Sequence, residues 1–181
     1  EFTIGDIVGE PSVPEDPLNN DGSGFTPIGT DTDPFTGSLT GASNILITDL
    51  YFNGYSQYNG LFGYTLGADI SEVHVTGLDM TIYTGSVFMV GGLAGYIEDT
   101  SIDHSSTIGT IESVTGGLGT LGRIGGLIGS MGGSSISDST SDVDITLMDT
   151  NSGAPGPVGG FIGQTSSGSL EGHTVNLIED C

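Results

Sequence analysis

A short motif of two glycines flanking two apolar residues recurs along this chain at a nearly constant interval. The copies are Gly60-Leu-Phe-Gly63, Gly92-Leu-Ala-Gly95, Gly126-Leu-Ile-Gly129 and Gly160-Phe-Ile-Gly163. Their first glycines lie 32, 34 and 34 residues apart. Intervals of this size are typical of repeat proteins, in which one unit cannot bury its apolar face and must stack on the next. The repeat limits the fold more strongly than any other feature of the sequence.

A second position repeats in step with the first. Seven residues after the closing glycine of each copy stands an aliphatic residue, at Ile70, Ile102, Ile136 and Leu170. The segment ITDLYF, from Ile47, reads as an earlier, fifth copy. These segments are short, contain β-branched residues and are bounded by Gly, Ser and Asp, without an amphipathic helical period of useful length. The pattern predicts strands.

Stacked units of this kind predict an all-β fold, a parallel β-solenoid of about five coils that lie about 4.8 Å apart. The repeated glycines are expected at the corners, where the backbone bends and approaches the next coil closely. The first, fourth and sixth positions of the aligned segments are expected to point inward. At two of these positions we expect hydroxyl side chains to hydrogen-bond from coil to coil, namely Ser105 with Ser139 and Thr107 with Ser141.

The repeat domain is assigned to residues 25–181, and residues 1–24 form a separate arm. The arm begins with a predicted strand and continues as a linker rich in Pro and acidic residues. Two arrangements are open: the strand pairs with the open sheet edge of a neighbouring molecule, or it folds back as the first coil of its own solenoid. The apolar residues of this strand are Phe2, Ile4, Ile7 and Val8.

The C-terminal segment has no obvious cap, because Leu177 and Ile178 are still strand-like. An uncapped solenoid end is a row of unpaired backbone groups and apolar side chains, and it stacks on a neighbour. Cys181 is the single cysteine, so an internal disulfide is excluded and an intermolecular one is open. Together with the apolar residues of the arm, these three residues form the predicted assembly surface.

The charge balance limits the partners. The chain has 23 Asp and Glu residues and a single basic residue, Arg123, which gives a formal net charge of −22. This charge repels phosphate backbones and anionic lipids, so nucleic-acid binding is excluded. No apolar run is long enough to span a membrane. The chain starts without Met, which indicates a removed leader or a fragment, and we expect an extracellular or cell-surface protein. Arg123 is expected to pair with a local carboxylate.

One exposed position of the aligned segments carries Asp49, Glu72, His104 and Asp138 in successive copies. Neighbouring coils would bring Asp49 and Glu72 about 5 Å apart, close enough to share a calcium ion, and the alternative is a solvated acidic face. No cofactor other than calcium is expected. The sequence offers neither a cluster of zinc ligands nor a nucleophile elbow, so we expect that the protein is not an enzyme.

The repeated segments resemble those of GLUG-motif repeat proteins. The likeness rests on NGLFGYTLGADISEVHV, VGGLAGYIEDTSI, IGGLIGSMGGSSISDS and VGGFIGQTSSGSLE, and it covers residues 25 to about 177. The resemblance implies a right-handed parallel β-helix outside the cell, usually as a segment of a large adhesin-like surface protein. The motif itself contains no catalytic residues.

Two functions follow as hypotheses. The first is a structural subunit of an extracellular filament or surface fibre, which polymerises head to tail with other copies of itself, through N-terminal strand exchange in one version. The second is a ligand-binding module of a larger surface adhesin, whose ligand is calcium or a glycan.

Overall fold

The structure, a computed structural model, describes residues 24–54, 56–84, 88–115, 122–149, 156–166 and 176–181. The regular secondary structure of these residues consists of strands, which confirms the predicted all-β class. Within the same ranges there is no helix long and apolar enough to cross a membrane. The arm predicted at residues 1–24, including Phe2, Ile4, Ile7 and Val8, lies outside the described residues except for Gly24.

The strands are short, as the spacing of the Gly, Ser and Asp residues predicts. In chain order they are β1 (Ser38–Thr48), β2 (Tyr51–Gly54), β3 (Tyr58–Asn59), β4 (Phe62–Leu66), β5 (Asp69–Thr84), β6 (Met89–Gly91), β7 (Ala94–Glu98), β8 (Ser101–Asp103), β9 (Ser106–Thr115), β10 (Arg123–Gly125), β11 (Ile128–Gly132), β12 (Ser135–Ser137), β13 (Thr140–Asp149), β14 (Val158–Gly159), β15 (Ile162–Ser166) and β16 (Leu177–Glu179).

The strands form three sheets in which every pair of named strands is parallel. Sheet 1 has the order β13-β9-β5-β8-β12-β16, with β1 and β2 also paired to β5. Sheet 2 consists of β3, β6, β10 and β14, and sheet 3 of β4, β7, β11 and β15. The chain passes from sheet 2 to sheet 3 to sheet 1 and back once per coil. This is a parallel β-solenoid, as predicted, of about three turns; the count of five coils is not reached in the described residues.

The register confirms the glycine motif as the repeating unit. Within sheet 3, Phe62 pairs with Ala94, Ala94 with Ile128 and Ile128 with Ile162. These residues follow one another at the motif's own spacings of 32, 34 and 34 residues. The motif therefore places one strand of each coil correctly from the sequence alone.

The register differs from the predicted alignment at both ends. Ile136 pairs with Ile178, a separation of 42 residues, so the last coil does not use Leu170 at the predicted interval of 34. Leu170 itself lies outside the described residues. Ile47 pairs with Val75 and not with Ile70, because β1 contains a register shift between Thr40 and Ile45. In both cases the pairing resumes after the irregular interval, so the extra residues do not break the stack.

The core consists of columns of stacked side chains inside the coils. Ile70, Ile102 and Ile136 form one such column and are at most 1% exposed. One predicted hydroxyl pair is confirmed, since Thr107 Oγ1 donates to Ser141 Oγ at 3.3 Å. The other is different: Ser139 Oγ accepts the backbone N–H of Ser105 at 3.1 Å, while the Ser105 hydroxyl donates to Asp103 O. Buried hydroxyls thus continue the stack where aliphatic residues end.

The glycine motif lies where the backbones of sheets 2 and 3 approach each other. A Cβ atom on Gly95 would lie 2.7 Å from Asn59 N and 2.8 Å from Met89 O. These contacts are with backbone atoms, which cannot move aside as a side chain can. The close approach forms a concave corner on the outer surface of the solenoid, and the outward side chains of the two sheets converge there.

Candidate functional site

The concave corner between sheets 2 and 3 forms a groove of about 310 Å³, called here the tyrosine groove. One wall is the outward column of sheet 2, formed by Tyr58, Met89 and Arg123, which pair through the register. The other wall is the outward column of sheet 3, formed by Tyr64, Tyr96, Ser130 and Gln164. Ser166 completes the lining. Because both columns run across the strands, the groove follows the solenoid axis over several coils, at about 4.8 Å per coil.

Three tyrosine rings meet at the N-terminal half of the groove. The ring centroids of Tyr58 and Tyr64 lie 5.3 Å apart in an edge-to-face arrangement. Those of Tyr64 and Tyr96 lie 4.9 Å apart with their planes tilted by 50°. These distances are in the favourable range for aromatic pairs, so the rings hold one another in place. The groove therefore presents a rigid aromatic wall that is partly open to solvent.

Burial and nearby carboxylates keep the tyrosine hydroxyls protonated. The pKa of Tyr64 is raised well above its usual value, first by burial and then by the hydrogen bond that its hydroxyl donates to Glu98 Oε2. Burial also raises the pKa of Tyr58, with Asp31 adding to the effect, and that of Tyr96, with Glu98 adding to it. At neutral pH these hydroxyls act as uncharged hydrogen-bonding groups.

Arg123, the single basic residue of the chain, lies in this groove. Its Nε donates a hydrogen bond to Gln164 Oε1. Among the described residues no carboxylate lies within ion-pair distance of its guanidinium, and the expected local ion pair stays a prediction. The facing wall of sheet 3 presents aromatic rings and amide and hydroxyl groups to Arg123. The bond to Gln164 leaves further guanidinium N–H donors, which match a carboxylate in geometry.

The exposed acidic position is a corner at which the backbone is left-handed. Glu72, His104, Asp138 and Asp180 have φ angles of 59°, 45°, 46° and 49°. Asp and His adopt this conformation more readily than most residues. In each of the three complete copies the next residue is buried, as Ser105 is behind His104. The recurrence of these residue types is thus explained by the turn they form.

Asp49 does not stack on Glu72 as the sequence alignment predicted. Its backbone N–H donates to Thr76 O at 2.8 Å, which places it beside Gly77. Both Asp49 and Gly77 have positive φ angles, of 56° and 65°, so they form a corner of their own. Calcium binding by Asp49 and Glu72 stays a prediction, without the shared position that suggested it. Asp180 is the corner residue that the alignment missed; its signal is the Ile-x-Asp pattern of residues 178–180, which repeats that of 136–138.

Asp103, His104 and Asp138 form the one group of three metal-ligand side chains found among the described residues, with ligand atoms within 4.8 Å of one another. The imidazole lies between the two carboxylates: Nδ1 is 2.7 Å from Asp103 Oδ2, and Nε2 is 3.9 Å from Asp138 Oδ2. The hydrogen bond with Asp103 raises the pKa of His104. The Nδ1 atom is occupied by its hydrogen bond with Asp103 and all three side chains are open to solvent, so the geometry favours an exposed hydrogen-bonded cluster.

The C-terminal end exposes side chains that belong to core columns. Ile102 and Ile136 are 0% exposed, whereas Ile178, the next residue of their column, is 45% exposed. Val158 is 43% exposed beside the buried Ile124, and Leu147 is 43% exposed beside the buried Ser113. Val158 and Ile178 lie in the last described coil, and Leu147 lies in β13, the last described strand of its own row in sheet 1. Each of the three therefore stands at the C-terminal end of its column.

The sequence prediction named part of this end. Leu177 is 47% exposed in β16, and Cys181 is exposed with a free thiol. Sequence reasoning missed Leu147 and Val158, and it also missed the tyrosine groove. A signal for the groove was present: Tyr64 and Tyr96 each follow the closing glycine of their motif copy. Their convergence with Tyr58 depends on the concave corner, which the spacing does not reveal.

Comparison with known families supports the resemblance seen in the sequence. Residues 120–146 match the family model of the GLUG motif. The matched stretch contains β10, β11 and β12 and most of β13, and so covers nearly a complete coil. No curated protein and no solved structure matches the chain at a significant level.

Proposed function

Since the chain carries a GLUG motif within a parallel β-solenoid, we propose that it is a structural subunit of an extracellular filament or surface fibre that assembles head to tail. The C-terminal coil of one copy receives the N-terminal coil of the next. The proposal assigns a mechanical role and no reaction to the chain.

The exposure of Ile178 is the observation that carries the proposal. Burying an aliphatic side chain of this size stabilises a contact by about 1.5–3 kcal/mol. Ile178, Val158 and Leu147 offer three such side chains at one end, already aligned with buried columns. Beside them lie the last described strands of the three sheets, and a strand at the edge of a sheet can pair with another parallel strand. A copy with the same 4.8 Å spacing satisfies both at once.

The opposite end offers a matching surface. Ile28 is paired with Phe62 in a parallel bridge and is 40% exposed, while Phe62 is 1% exposed. Ile28 thus occupies the N-terminal position of the column that continues through Ala94 and Ile128. The column of Ile28 ends at Ile162, so the two ends of the solenoid expose different columns. A contact between two different ends does not close, and such a contact propagates as a filament. In this proposal, the predicted strand at residues 2–8 contributes to the contact by pairing with the neighbour.

The test compares two isoleucines of equal exposure. Ile178→Asp places a charge in the proposed contact, whereas Ile108→Asp places the same charge on a lateral face, where Ile108 is 46% exposed. Cryo-electron microscopy and light scattering are expected to show filaments for the wild type and for Ile108→Asp, and monomers for Ile178→Asp. Circular dichroism checks that both variants keep their β-structure.

A deletion of residues 1–10 separates the two versions of the proposal. Loss of filaments is expected if the N-terminal strand is exchanged between copies. If the deleted chain still forms filaments, strand exchange is not required and the coils stack directly. Monodisperse wild-type monomers at high concentration, or filaments of Ile178→Asp, would overturn head-to-tail assembly itself.

A second candidate is a ligand-binding module of a surface adhesin, which the tyrosine groove favours. It predicts a monomer that binds a ligand on its lateral face. The two candidates are distinguished by the same microscopy, because an adhesin module has no need of the open end.

A further inference from the structure

We propose that the tyrosine groove binds a saccharide that carries a single carboxylate, which Arg123 holds while the tyrosine rings contact the apolar face of the sugar. The proposal deepens the second candidate function and is independent of head-to-tail assembly, because the groove lies on the lateral surface of the coils.

Arg123 places the single positive side chain of this acidic protein in the groove. A chain with a net charge of −22 repels anions over most of its surface, so an anionic group can be held only beside a local cation. The single basic residue of the chain stands in the groove, and its hydrogen bond to Gln164 uses one of the five guanidinium donors. A carboxylate matches the fork of the remaining donors in geometry as well as in charge.

The acidic residues near the groove limit the ligand to one carboxylate. Glu98 accepts the hydrogen bond from Tyr64, and Asp31 lies near enough to Tyr58 to raise the pKa of its hydroxyl. A second carboxylate on the ligand would meet these groups without a cation to balance it. The charge pattern therefore favours one anionic position among neutral ones.

The remaining lining is suited to a sugar. Tyr58, Tyr64 and Tyr96 supply aromatic surface for the C–H groups of a pyranose ring. Gln164 and Ser166, which are only partly buried, supply amide and hydroxyl groups along the same axis, so that polar contacts recur beside the rings. A ligand in which apolar faces alternate with hydroxyl groups satisfies both walls, whereas a purely aromatic ligand would leave the polar wall unpaired.

The experiment measures discrimination between two probes of one shape. Calorimetric titration compares a glucuronic acid–N-acetylglucosamine disaccharide with the glucose–N-acetylglucosamine disaccharide of the same linkage. The wild type is expected to bind the acidic probe more tightly, by about tenfold or more, since one charged hydrogen-bonded contact is gained. Arg123→Gln is expected to remove this preference while the neutral probe keeps its affinity. A general loss of folding would lower both affinities together and is distinguished in this way.

The aromatic wall is tested with a matched pair of tyrosines. Tyr58→Ser is expected to lower the affinity for both probes, because both present the same ring face. Tyr83 lies in β5 outside the groove, so Tyr83→Ser is expected to leave both affinities unchanged. Equal affinity of the wild type for the two probes, no detectable binding of either, or an unchanged preference in Arg123→Gln would overturn the proposal. The assembly test uses different residues, so failure of saccharide binding would not affect the filament proposal.

Discussion

The hydroxyl of Ser139 joins two coils, because its Oγ accepts the backbone N–H of Ser105 at 3.1 Å and donates to Ser137 O at 2.7 Å. Ser105 and Ser139 are at most 1% exposed. The other corner of the same coils repeats the arrangement: Thr100 N donates to Ser134 Oγ at 3.0 Å. A corner residue with a left-handed backbone leaves its neighbour's N–H outside the regular ladder, and the hydroxyl of the next coil satisfies it.

Replacing this hydroxyl is expected to destabilise the fold. Ser139→Ala leaves the buried N–H of Ser105 without its partner, which costs about 1–3 kcal/mol of unfolding free energy. Ser135→Ala is the control, because Ser135 Oγ donates to Ser101 Oγ at 3.3 Å on a half-buried face. In urea unfolding, the midpoint of Ser139→Ala is expected to be clearly lower than that of Ser135→Ala. Equal midpoints would show that water or a shifted backbone replaces the hydroxyl.

The sequence predicts this ladder because its members stand at the repeat interval. Ser105 and Ser139 are 34 residues apart, as are the glycines Gly92 and Gly126, so one spacing places both in adjacent coils. The same reasoning fails for Ile178, which lies 42 residues after Ile136. An inserted segment leaves the stack intact but moves the residues that follow it out of the expected frame. Periodicity therefore predicts the middle of a solenoid better than its ends.

The tyrosine groove shows a different limit. The outward position of Tyr64 and Tyr96 follows from the strand pattern, but their contact with Tyr58 depends on the angle between two sheets. That angle is produced by close backbone contacts at glycines, such as Gly95 against Met89 O. Sequence spacing determines which residues stack within one sheet. It does not determine which columns of two sheets face each other.

His104 is expected to titrate above its usual pKa of about 6.5. The hydrogen bond with Asp103 is the main cause, and the charges of Asp103 and Asp138 add to it. A raised pKa in the folded state means that this stabilising interaction is fully present below the unfolded pKa and is lost as the pH rises through the folded one. Proton NMR of the imidazole measures the shift. Asp103→Asn is expected to lower the pKa, whereas Glu112→Gln, in β9, leaves it unchanged.

Tyr64 is expected to be the last of the groove tyrosines to ionise. Burial and the hydrogen bond to Glu98 raise its pKa, so the fold loses stability as the pH rises from about 10 through the folded pKa of this residue. Tyrosinate absorbance follows the titration. Tyr64→Phe is expected to remove the most alkaline step, while Tyr83→Phe retains it. If both variants keep the step, another tyrosine is responsible.

Three equivalent motif glycines differ in what surrounds them. A Cβ on Gly92 would lie 2.8 Å from Gly126 O, and a Cβ on Gly126 would lie 2.2 Å from Gly160 O. A Cβ on Gly160 would meet nothing within 4 Å. Each glycine therefore faces the coil that follows it, and Gly160 faces the position that a following copy would occupy.

This difference predicts that the same substitution destabilises the fold strongly at Gly126 and only slightly at Gly160. Gly126→Ala is expected to lower the unfolding free energy by about 3 kcal/mol or more, because the methyl group overlaps a backbone carbonyl. The unfolding free energy of Gly160→Ala is expected to lie within about 0.5 kcal/mol of the wild-type value. If filaments form through this end, Gly160→Ala also hinders their growth, since its methyl group projects toward the next copy. Urea unfolding and light scattering measure the two effects separately. Equal destabilisation by both substitutions would contradict the position of Gly160, and unimpaired filament growth by Gly160→Ala would contradict a close-packed continuation of the stack.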